Sequence, residues 1–457
     1  MEPFLVMNAP SLATANRRRL HMHCARSMAC ASLAPWRGCE LAHYSDRSLL
    51  FSKPGDLVCL HAPPDASYLA YLNRLGIGPR LADVISCPDL PDTAGLPMAA
   101  KLGRDEYLWR QLVESLRPAE EVELQPYMTT RFETEFAQRL QDCLPGTVQL
   151  IGGNSAVLEH FDQKHHARQM ALALGIPVAP GEVIEIAKAI DWYNLGNAIR
   201  RQLCHTGKVI VRGACGNNGS SVQVVVGTHE VTPCIERLRQ NDSNITYLVE
   251  AMFEVTSSPN IGMFIDPQTR DVSCFSCTQQ VFERNLDHAG NQYPLKDSGQ
   301  LPAMIAAAER FMFFLRDLGV TGHIGFDFCE YKLPAGGISF LMAELNPRIN
   351  GATYSQTLFA ALNQIQRNYG GPSLGSFYAV NMSTALNSFS ALEDAVGELL
   401  FKPGQHQGFV PRNLSPFTEG KCSVVMVAHQ AEGLNELHSQ LSAKLQPAVM
   451  RRAARAA

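Results

Sequence analysis

The sequence lacks the features that define several large classes of protein. Its 457 residues include no apolar run long enough to cross a membrane, and its net charge of −4 provides no basic footprint for nucleic acid. Neither the GxGxxG pattern of dinucleotide sites nor the GxxxxGK[ST] pattern of P-loops occurs. The thirteen cysteines are odd in number and scattered, which favours reduced thiols over a disulfide framework. We therefore expect a cytoplasmic globular protein that binds neither membranes nor nucleic acids.

The N-terminal region resembles a targeting signal only weakly. Arg17, Arg18 and Arg19 precede a loosely apolar stretch, but His21 and His23 interrupt it. A signal peptide has a continuous apolar segment at this point. We therefore do not expect a cleaved presequence.

The first 150 residues or so alternate between strand-like and helix-like patterns. Two short apolar runs, Phe4–Asn8 and Asp56–His61, have the composition of buried parallel strands. Two other segments, Ser67–Leu75 and Arg104–Leu116, have helical character. This alternation predicts an open α/β domain.

A single helix is predicted over Asn154–Leu174, and it carries Lys164. Asn154 or Ser155 can cap its first turn, and the glycine and proline of the following GIP sequence end it. A lone helical lysine is usually solvated, so Lys164 gains meaning only from the motifs that follow it.

A glycine-rich loop follows the β-rich run Lys208–Arg212. Its sequence, GACGNNGS, contains Gly216, Gly219 and Ser220. Glycine and asparagine tolerate positive φ, so successive N–H groups can form a concave nest for phosphate, and Arg212 would add charge. A flexible structural loop would have the same composition, so the loop alone leaves both interpretations open.

The apolar run Tyr247–Phe253 carries one carboxylate, Glu250. An extended segment that crosses a cleft can present its backbone to a purine edge, where a nearby carboxylate accepts from the exocyclic amine. Glu254, just beyond the run, is placed to reach ribose hydroxyls. Taken alone, either residue is more commonly a carboxylate at the rim of the fold that binds no ligand.

The most specific pattern is a predicted β-hairpin with a Pro-Ala-Gly-Gly turn. Pairing about that turn places Asp327 opposite Glu344, with Asn346 on the same face. Two facing carboxylates weaken a sheet unless a cation lies between them, and two carboxylates with an amide oxygen suit Mg²⁺. Arg348 adds a forked donor for phosphate or carboxylate. An exposed hairpin with scattered charges is the alternative. The two strands are predicted over Ile324–Lys332 and Ile338–Leu345.

The polar segment Glu283–Pro294 is predicted to be a loop. Arg284 and His288 within it are available to contact a substrate. Beyond it a helix is predicted over Pro302–Leu318, and the tail from about residue 400 has a small α/β pattern of its own.

The order of these features resembles the ATP-grasp superfamily. GFDF followed by AELNPRING looks like the magnesium-binding strand pair of that family, KVIVRGACGNNGSSV like its phosphate loop, and LVEAMF like its adenine hinge. KHHARQMALALGIPVAP looks like the helix that carries its first ATP-binding lysine. Segments in both flanks, among them NAPSLATANRRR and GFVPRNLSPFTEGKCSVVMVA, resemble the pheganomycin-type peptide ligases.

The resemblance implies an α/β chain with an open pre-ATP-grasp domain over residues 1–153, an ATP-grasp domain over 154–375 whose lobes divide near residue 250, and a small C-terminal α/β portion over 376–457. It implies an ATP-dependent carboxylate–amine ligase that joins amino acids or small peptides through an acyl phosphate. The implied cofactors are ATP and one or two Mg²⁺ ions, which Mn²⁺ can replace. A homodimer is one expectation for the assembly.

The resemblance also implies a role for each candidate residue. Arg348 would stabilise the acyl phosphate and the tetrahedral state that follows it. The family usually has lysine where this chain has Arg212, so the phosphate contact of Arg212 is an open point. Substrate contacts would come from Arg284 and His288. The implied metal ligands are Asp327, Glu344 and Asn346, and the implied ATP-binding residues are Lys164, Arg212, Gly216, Gly219, Ser220, Glu250, Phe253 and Glu254.

Two alternatives fit the same motifs. One is an ATP-grasp enzyme with another acceptor, such as a carboxylate kinase or a ligase that joins a small acid to a polyamine. The other is a nucleotide-binding protein that no longer catalyses. A panel of amines separates the first alternative from a peptide ligase, because a kinase releases ADP without any amine.

Overall fold

The computed structural model describes residues 16–31, 44–90, 93, 95–215, 222–241, 245–282, 288–296, 298–333 and 335–456. These residues form three β-sheets with helices packed against them, which confirms the predicted α/β class. Within them, no helix is both long and apolar enough to span a lipid bilayer. The predicted strand Phe4–Asn8 lies outside the described residues.

The N-terminal domain is built on a five-stranded parallel sheet. Its elements are β1 (Arg17–Met22), α1 (Arg26–Ala31), β2 (Leu57–Leu60), α2 (Ala66–Arg74), β3 (Val84–Ser86), α3 (Met98–Arg104), α4 (Glu106–Leu116), β4 (Glu121–Pro126), α5 (Arg131–Cys143) and β5 (Thr147–Leu150). The strand order is β3-β2-β1-β4-β5.

The central strand β1 begins in the arginine-rich segment that resembles a targeting signal. Arg19 reaches the neighbouring strand, where its Nε lies 3.0 Å from Glu123 Oε1. Leu20, next along the strand, is fully buried. This strand was not predicted, because its first three residues are arginines, whereas buried parallel strands normally have continuous apolar runs.

Side chains that cap the helices explain where they begin. Asp65 accepts from the first-turn N–H groups of α2, and Asp105 does the same for α4. Thr130 and Glu133 form a capping box at α5. The predicted helices Ser67–Leu75 and Arg104–Leu116 are confirmed to within a few residues.

A four-stranded antiparallel sheet, in the order β6-β9-β7-β8, forms the next part of the chain. Two helices replace the single predicted helix Asn154–Leu174, because the chain breaks at Asp162 and Gln163. Asn154 caps the first of them, as expected. The elements are α6 (Ser155–Phe161), α7 (Lys164–Ala173), β6 (Gly181–Glu185), α8 (Ala189–Thr206), β7 (Lys208–Gly213), β8 (Val222–Val226), α9 (Val231–Asn241) and β9 (Thr246–Ala251).

A nine-stranded sheet forms the rest of the chain and runs across the predicted boundary at residue 375. Its elements are β10 (Val255–Ser257), β11 (Pro259–Ile265), β12 (Val272–Phe282), β13 (His288–Tyr293), α10 (Leu301–Asp317), β14 (Gly322–Lys332), β15 (Ile338–Asn346), α11 (Gly351–Asn368), β16 (Ser376–Ser383), α12 (Phe389–Val396), β17 (Gln407–Asn413), β18 (Lys421–Ala428) and α13 (Ala431–Ala456). The strand order is β10-β14-β11-β12-β13-β16-β18-β17, with β15 paired to β14.

The predicted loop over Glu283–Pro294 is wrong for its second half, which forms strand β13. Its sequence, HAGNQY, lacks the apolar alternation of a strand, but its backbone pairs with β12 on one side and β16 on the other. Hydrogen bonds to two neighbours therefore hold a strand that its side chains do not indicate.

The largest core joins the two ends of the chain. Tyr68 and Tyr71 of α2 pack with Phe389 of α12, at ring-centroid distances of 5.5 and 5.4 Å. The hydroxyl of Tyr68 donates to the carbonyl of Pro411 at 2.6 Å. The N-terminal domain and the C-terminal strands are thus packed together as one body.

Two phenylalanines of α10 provide a matched test of the core beneath the nine-stranded sheet. Phe311 is fully buried, and its ring centroid lies 5.8 Å from that of Phe326. Phe313 is 44% exposed. We expect Phe311→Ala to lower the free energy of unfolding by about 3–5 kcal/mol, because it leaves a cavity. We expect Phe313→Ala to lower it by less than about 1 kcal/mol. Denaturant unfolding followed by circular dichroism measures both, and similar losses in the two variants would contradict this core.

Candidate active site

Strands β14 and β15 pair as predicted around the two acidic residues. Asp327 lies opposite Glu344, and Gly325 lies opposite Asn346. A bulge at Ala343 then shifts the register by one residue towards the turn. The predicted pairing is therefore confirmed at the acidic residues but not in the half of the hairpin nearer the turn.

Asp327 accepts hydrogen bonds from two asparagine amides. Asn260 Nδ2 lies 2.6 Å from Oδ1, and Asn346 Nδ2 lies 2.9 Å from Oδ2. Burial, and after it the charge of Glu344, raises the pKa of Asp327 to about 7. Asn260 Oδ1 is buried and has no hydrogen-bond partner in the structure. A carboxylate that is costly to ionise and an unsatisfied amide oxygen thus lie side by side.

Glu344 makes an ion pair with the lysine of the predicted ATP-binding helix. Lys164 Nζ lies 3.0 Å from Glu344 Oε1, and the backbone N–H of Lys164 donates to the carbonyl of Ala214 at 3.0 Å. Burial alone would raise the pKa of Glu344, but Lys164, Arg212 and Arg348 outweigh it and hold the pKa below its usual value. The Glu344 side chain is still 28% exposed, so a ligand can reach it.

Arg212 lies on β7 of the four-stranded sheet and reaches β15 of the nine-stranded sheet. Its Nη1 donates to the carbonyl of Ala343 at 2.9 Å, and its Nε donates to Glu250 Oε2 at 2.9 Å. The other carboxylate oxygen of Glu250 accepts from Arg168 Nε at 3.2 Å, and Glu250 is only 3% exposed. Both oxygens of Glu250 are therefore engaged by arginines, and its expected contact with adenine stays a prediction.

Arg168 is a site residue that the sequence analysis missed. It follows Lys164 by four residues on α7, so the two side chains share one face of the helix. Its Nη2 also donates to the carbonyl of Ala179 at 2.7 Å. Its four-residue spacing from Lys164 is the sequence feature that could have identified Arg168 as a site residue.

Arg348 is held by an acid from the break between α6 and α7. Its Nη1 donates to Asp162 Oδ1 at 2.8 Å, while its buried Nε has no hydrogen-bond partner in the described part of the chain. Although burial opposes it, the charge of Asp162 raises the pKa of Arg348 above its ordinary value, with smaller contributions from Tyr127 and Glu344. Asp162 had no sequence signal, because a continuous helix was predicted there.

The other predicted site residues are distributed around this centre or lie outside the described part of the chain. Phe253 is half-buried against Tyr331, with ring centroids 4.3 Å apart, and Glu254 is exposed. His288 lies on β13 near the C-terminal strands rather than beside the hairpin acids. Gly216, Gly219, Ser220 and Arg284 fall among the residues that the structure does not describe.

The donors around the hairpin fit a hard divalent cation. Two carboxylates and the amide oxygens of two asparagines are the ligand types that Mg²⁺ prefers. No cluster of three or more His, Cys, Asp and Glu side chains with metal-binding geometry occurs in the part of the chain that is described. A site for zinc or another soft metal therefore has no support among those residues, whereas an oxygen-donor site does.

Comparisons with known proteins bear on the fold of the chain. A family model described as the pre-ATP-grasp domain matches residues 45–141. A search of curated proteins found no match to the sequence. Among solved structures, the fold is similar to the ADP complex of N5-carboxyaminoimidazole ribonucleotide synthetase, with a TM-score of 0.54 and 13% identity over 96% of this chain and 98% of that one.

Two further solved structures show the same likeness. N5-carboxyaminoimidazole synthetase of Staphylococcus aureus, in complex with ADP, has a TM-score of 0.53 and 10% identity over 94% of this chain and 97% of that one. Biotin carboxylase of Campylobacter jejuni, in a complex with β-γ-ATP, has a TM-score of 0.52 and 13% identity over 91% of this chain and 87% of that one.

The family match and the structural likenesses agree on the architecture. The chain has an N-terminal pre-ATP-grasp domain, and its fold as a whole is similar to those of the synthetases and the carboxylase above, which confirms the predicted α/β fold class. At these low identities the likeness establishes the fold and not the reaction. The predicted domain limits stay predictions. One sheet crosses the second of these limits, at residue 375, because β13 pairs with β16.

The raised pKa of Asp327 leads to a test that requires no substrate. An acid whose pKa is higher in the folded chain contributes stability below its unfolded pKa of about 4 and loses it as the pH rises through about 7. We therefore expect Asp327→Asn to raise the melting temperature at pH 8 but not at pH 4. We also expect it to remove any increase in melting temperature that Mg²⁺ with ADP produces.

Glu185→Gln, on an exposed acid of β6, is the control for that measurement and should change neither property. Full stabilisation of Asp327→Asn by Mg²⁺ with ADP would show that Asp327 does not bind the metal.

Proposed function

We propose that this protein is an ATP-dependent carboxylate–amine ligase that joins amino acids or small peptides. The observation that carries the proposal is the facing pair Asp327 and Glu344 on the ATP-grasp hairpin, with Lys164 Nζ 3.0 Å from Glu344. Three solved structures of similar fold contain ADP or an ATP complex, which supports a nucleotide as a ligand of this fold. Cytoplasmic location and a homodimer stay predictions.

The proposed reaction has two steps. An oxygen of the acid substrate attacks the γ-phosphorus of ATP, which forms an acyl phosphate and releases ADP. The nitrogen of the amine then attacks the acyl carbon, the bond to the phosphate oxygen breaks, and an amide and inorganic phosphate leave. The amine loses one proton to the medium or to a phosphate oxygen.

Each charged group has a part in that scheme. Asp327, Glu344 and Asn346 would hold Mg²⁺ or Mn²⁺, the asparagine through its amide oxygen. The ion would supply positive charge that binds the ATP phosphates and offsets the charge that develops on them. Lys164 and Arg212 would bind phosphate oxygens. Arg348, with its unpartnered Nε, would donate to the acyl phosphate.

Arg212, which stands where the family usually has lysine, is compatible with binding of phosphate oxygens. Arg212 is already oriented by Glu250 and by the carbonyl of Ala343, so its forked donors are fixed in position. Glu250 and Arg168 would then act by positioning Arg212.

The kinase alternative differs only in the acceptor. A carboxylate kinase would use the same phosphate and metal groups and would release ADP when the acid alone is present. A protein without catalysis is less well supported, because the carboxylates are present together with Lys164, Arg212 and Arg348.

Replacement of the central groups tests the assigned roles. We expect Glu344→Gln and Arg348→Ala each to lower amine-dependent ADP release by about 100-fold or more. The first removes a negative ligand of the proposed metal ion, and the second removes a positive charge that would stabilise the acyl phosphate. Arg316→Ala is the matched control, since this arginine is partly exposed and forms its ion pair with Asp317 on the surface, away from the hairpin acids. Near-normal turnover in both site variants would refute the assignment.

An array of acids and amines identifies the reaction itself. ADP release is measured for amino acids and dipeptides as acids, each with and without a second amino acid, and mass detection identifies the adduct. ADP release that requires both partners and gives an amide is the expected result. Release with the acid alone would favour the kinase.

A further inference from the structure

Two arginines from opposite ends of the chain lie near each other, and neither forms an ion pair with an acidic side chain that the structure describes. Arg47 belongs to the 3₁₀ turn Ser45–Leu50 of the N-terminal domain, and Arg412 belongs to β17. Arg412 is only 5% exposed. Its Nε donates to Ser423 Oγ at 2.9 Å and its Nη2 donates to Asn381 Oδ1 at 3.4 Å, and both acceptors are uncharged.

Arg47 is also incompletely satisfied. Its Nε is buried and has no hydrogen-bond partner among the residues that the structure describes. Its guanidinium carbon lies 4.3 Å from the ring centroid of Tyr44 and 5.8 Å from that of Tyr354. Aromatic faces attract a cation but do not neutralise its charge.

The nearby carboxylates are engaged by other groups. Asp46 accepts from the backbone N–H groups of Leu414 and Ser415, at 2.6 and 3.0 Å. Glu419 accepts from the hydroxyl of Tyr44 at 3.3 Å. Among the described side chains, no ion pair includes either Arg47 or Arg412.

Other polar groups lie at this place as well. His288 and Asn291 face it from β13, and the 18-residue helix α11 begins there at Gly351. A Cβ atom at Gly351 would lie 3.7 Å from Arg412 Nη1 and 3.7 Å from Asn291 Nδ2. The first N–H groups of a helix and its dipole both favour a negative charge.

Burial of two neighbouring cations without a counter-charge is unfavourable. Burial, and after it the charge of Arg47, lowers the pKa of Arg412 to about 9, still above neutral pH. Arg412 therefore keeps its charge at neutral pH, and no carboxylate among the described side chains forms an ion pair with it.

We propose that Arg47, Arg412 and the first turn of α11 bind an anionic group of the substrate, a carboxylate or a phosphate distinct from the phosphates of ATP. The position suits a second substrate, because α11 follows directly on the hairpin. Asn350, the cap of α11, touches Gly325, which faces Asn346 of the metal-binding face.

As a statement of substrate class, this inference rests on the ligase function proposed above. A substrate held here carries an anion in addition to its reacting group. An amino acid, with a carboxylate beside its amine, or a diacid has this property, whereas a polyamine does not.

Binding of anions to the full chain tests the subsite without any catalysis. The melting temperature is measured in sodium succinate and in inorganic phosphate, against sodium chloride of equal ionic strength. We expect the wild-type melting temperature to rise with one of these anions. Succinate alone would identify a carboxylate substrate, and phosphate alone a phosphorylated one. No rise with either would overturn the proposal.

Two variants give the structural controls. Arg412→Gln should raise the melting temperature without anion, because it removes an unpaired buried charge, and should abolish the rise with anion. Gly351→Ala should leave the fold intact, because its Cβ makes only ordinary contacts, and should also abolish the rise. Arg201→Gln, at an exposed ion pair with Glu182, should retain it. A response retained in both Arg412→Gln and Gly351→Ala would refute the subsite.

A kinetic comparison separates this inference from the ligase proposal. If the ligase reaction is found, Arg412→Gln should raise the KM of an amino acid by about ten- to hundredfold and leave the KM of its carboxamide unchanged. Equal effects on both would count against the subsite. If no acid and amine pair releases ADP but the anion response behaves as expected in the variants, the subsite stands and the ligase function fails.

Discussion

The facing of Asp327 and Glu344 across one hairpin is the constraint on which the rest of the site depends. Two carboxylates in this position repel each other and weaken the pairing of β14 with β15. Cations from three separate elements offset this repulsion. They are Lys164 at the start of α7, Arg212 on β7 and Arg348 after β15. The same charges that would bind a nucleotide thereby link the four-stranded sheet to the nine-stranded sheet.

Two of these cations, Arg348 and Arg212, are each held by a further acid. Arg348 is held by Asp162, and Arg212 is held by Glu250, which also binds Arg168. Removal of one member from such a buried set leaves its partner uncompensated, which is usually more costly than the interaction itself is favourable. The site is therefore fixed in shape before any ligand arrives, and its geometry is a property of the charges and not of the loops around it.

The sequence was sufficient where local rules determine the structure. A tight turn and the two-residue period of strands were enough to place Asp327 opposite Glu344, and capping residues were enough to place α2 and α4. Rules of this kind failed where distant contacts decide: β13 is held by its neighbours, and the bulge at Ala343 arises within the sheet. The meeting of Arg47 with Arg412 depends on how the chain ends pack, which no local pattern encodes.

The continuous nine-stranded sheet has a consequence for how this chain can be divided. Truncation at residue 375 would remove β16 and leave the edge of β13 unpaired. It would also uncover the apolar side of α11, where Leu358 and Leu362 belong to the same core as Phe377. The tail is thus an integral part of the folding unit, and exchange of modules between related proteins would have to carry it along with the catalytic lobe.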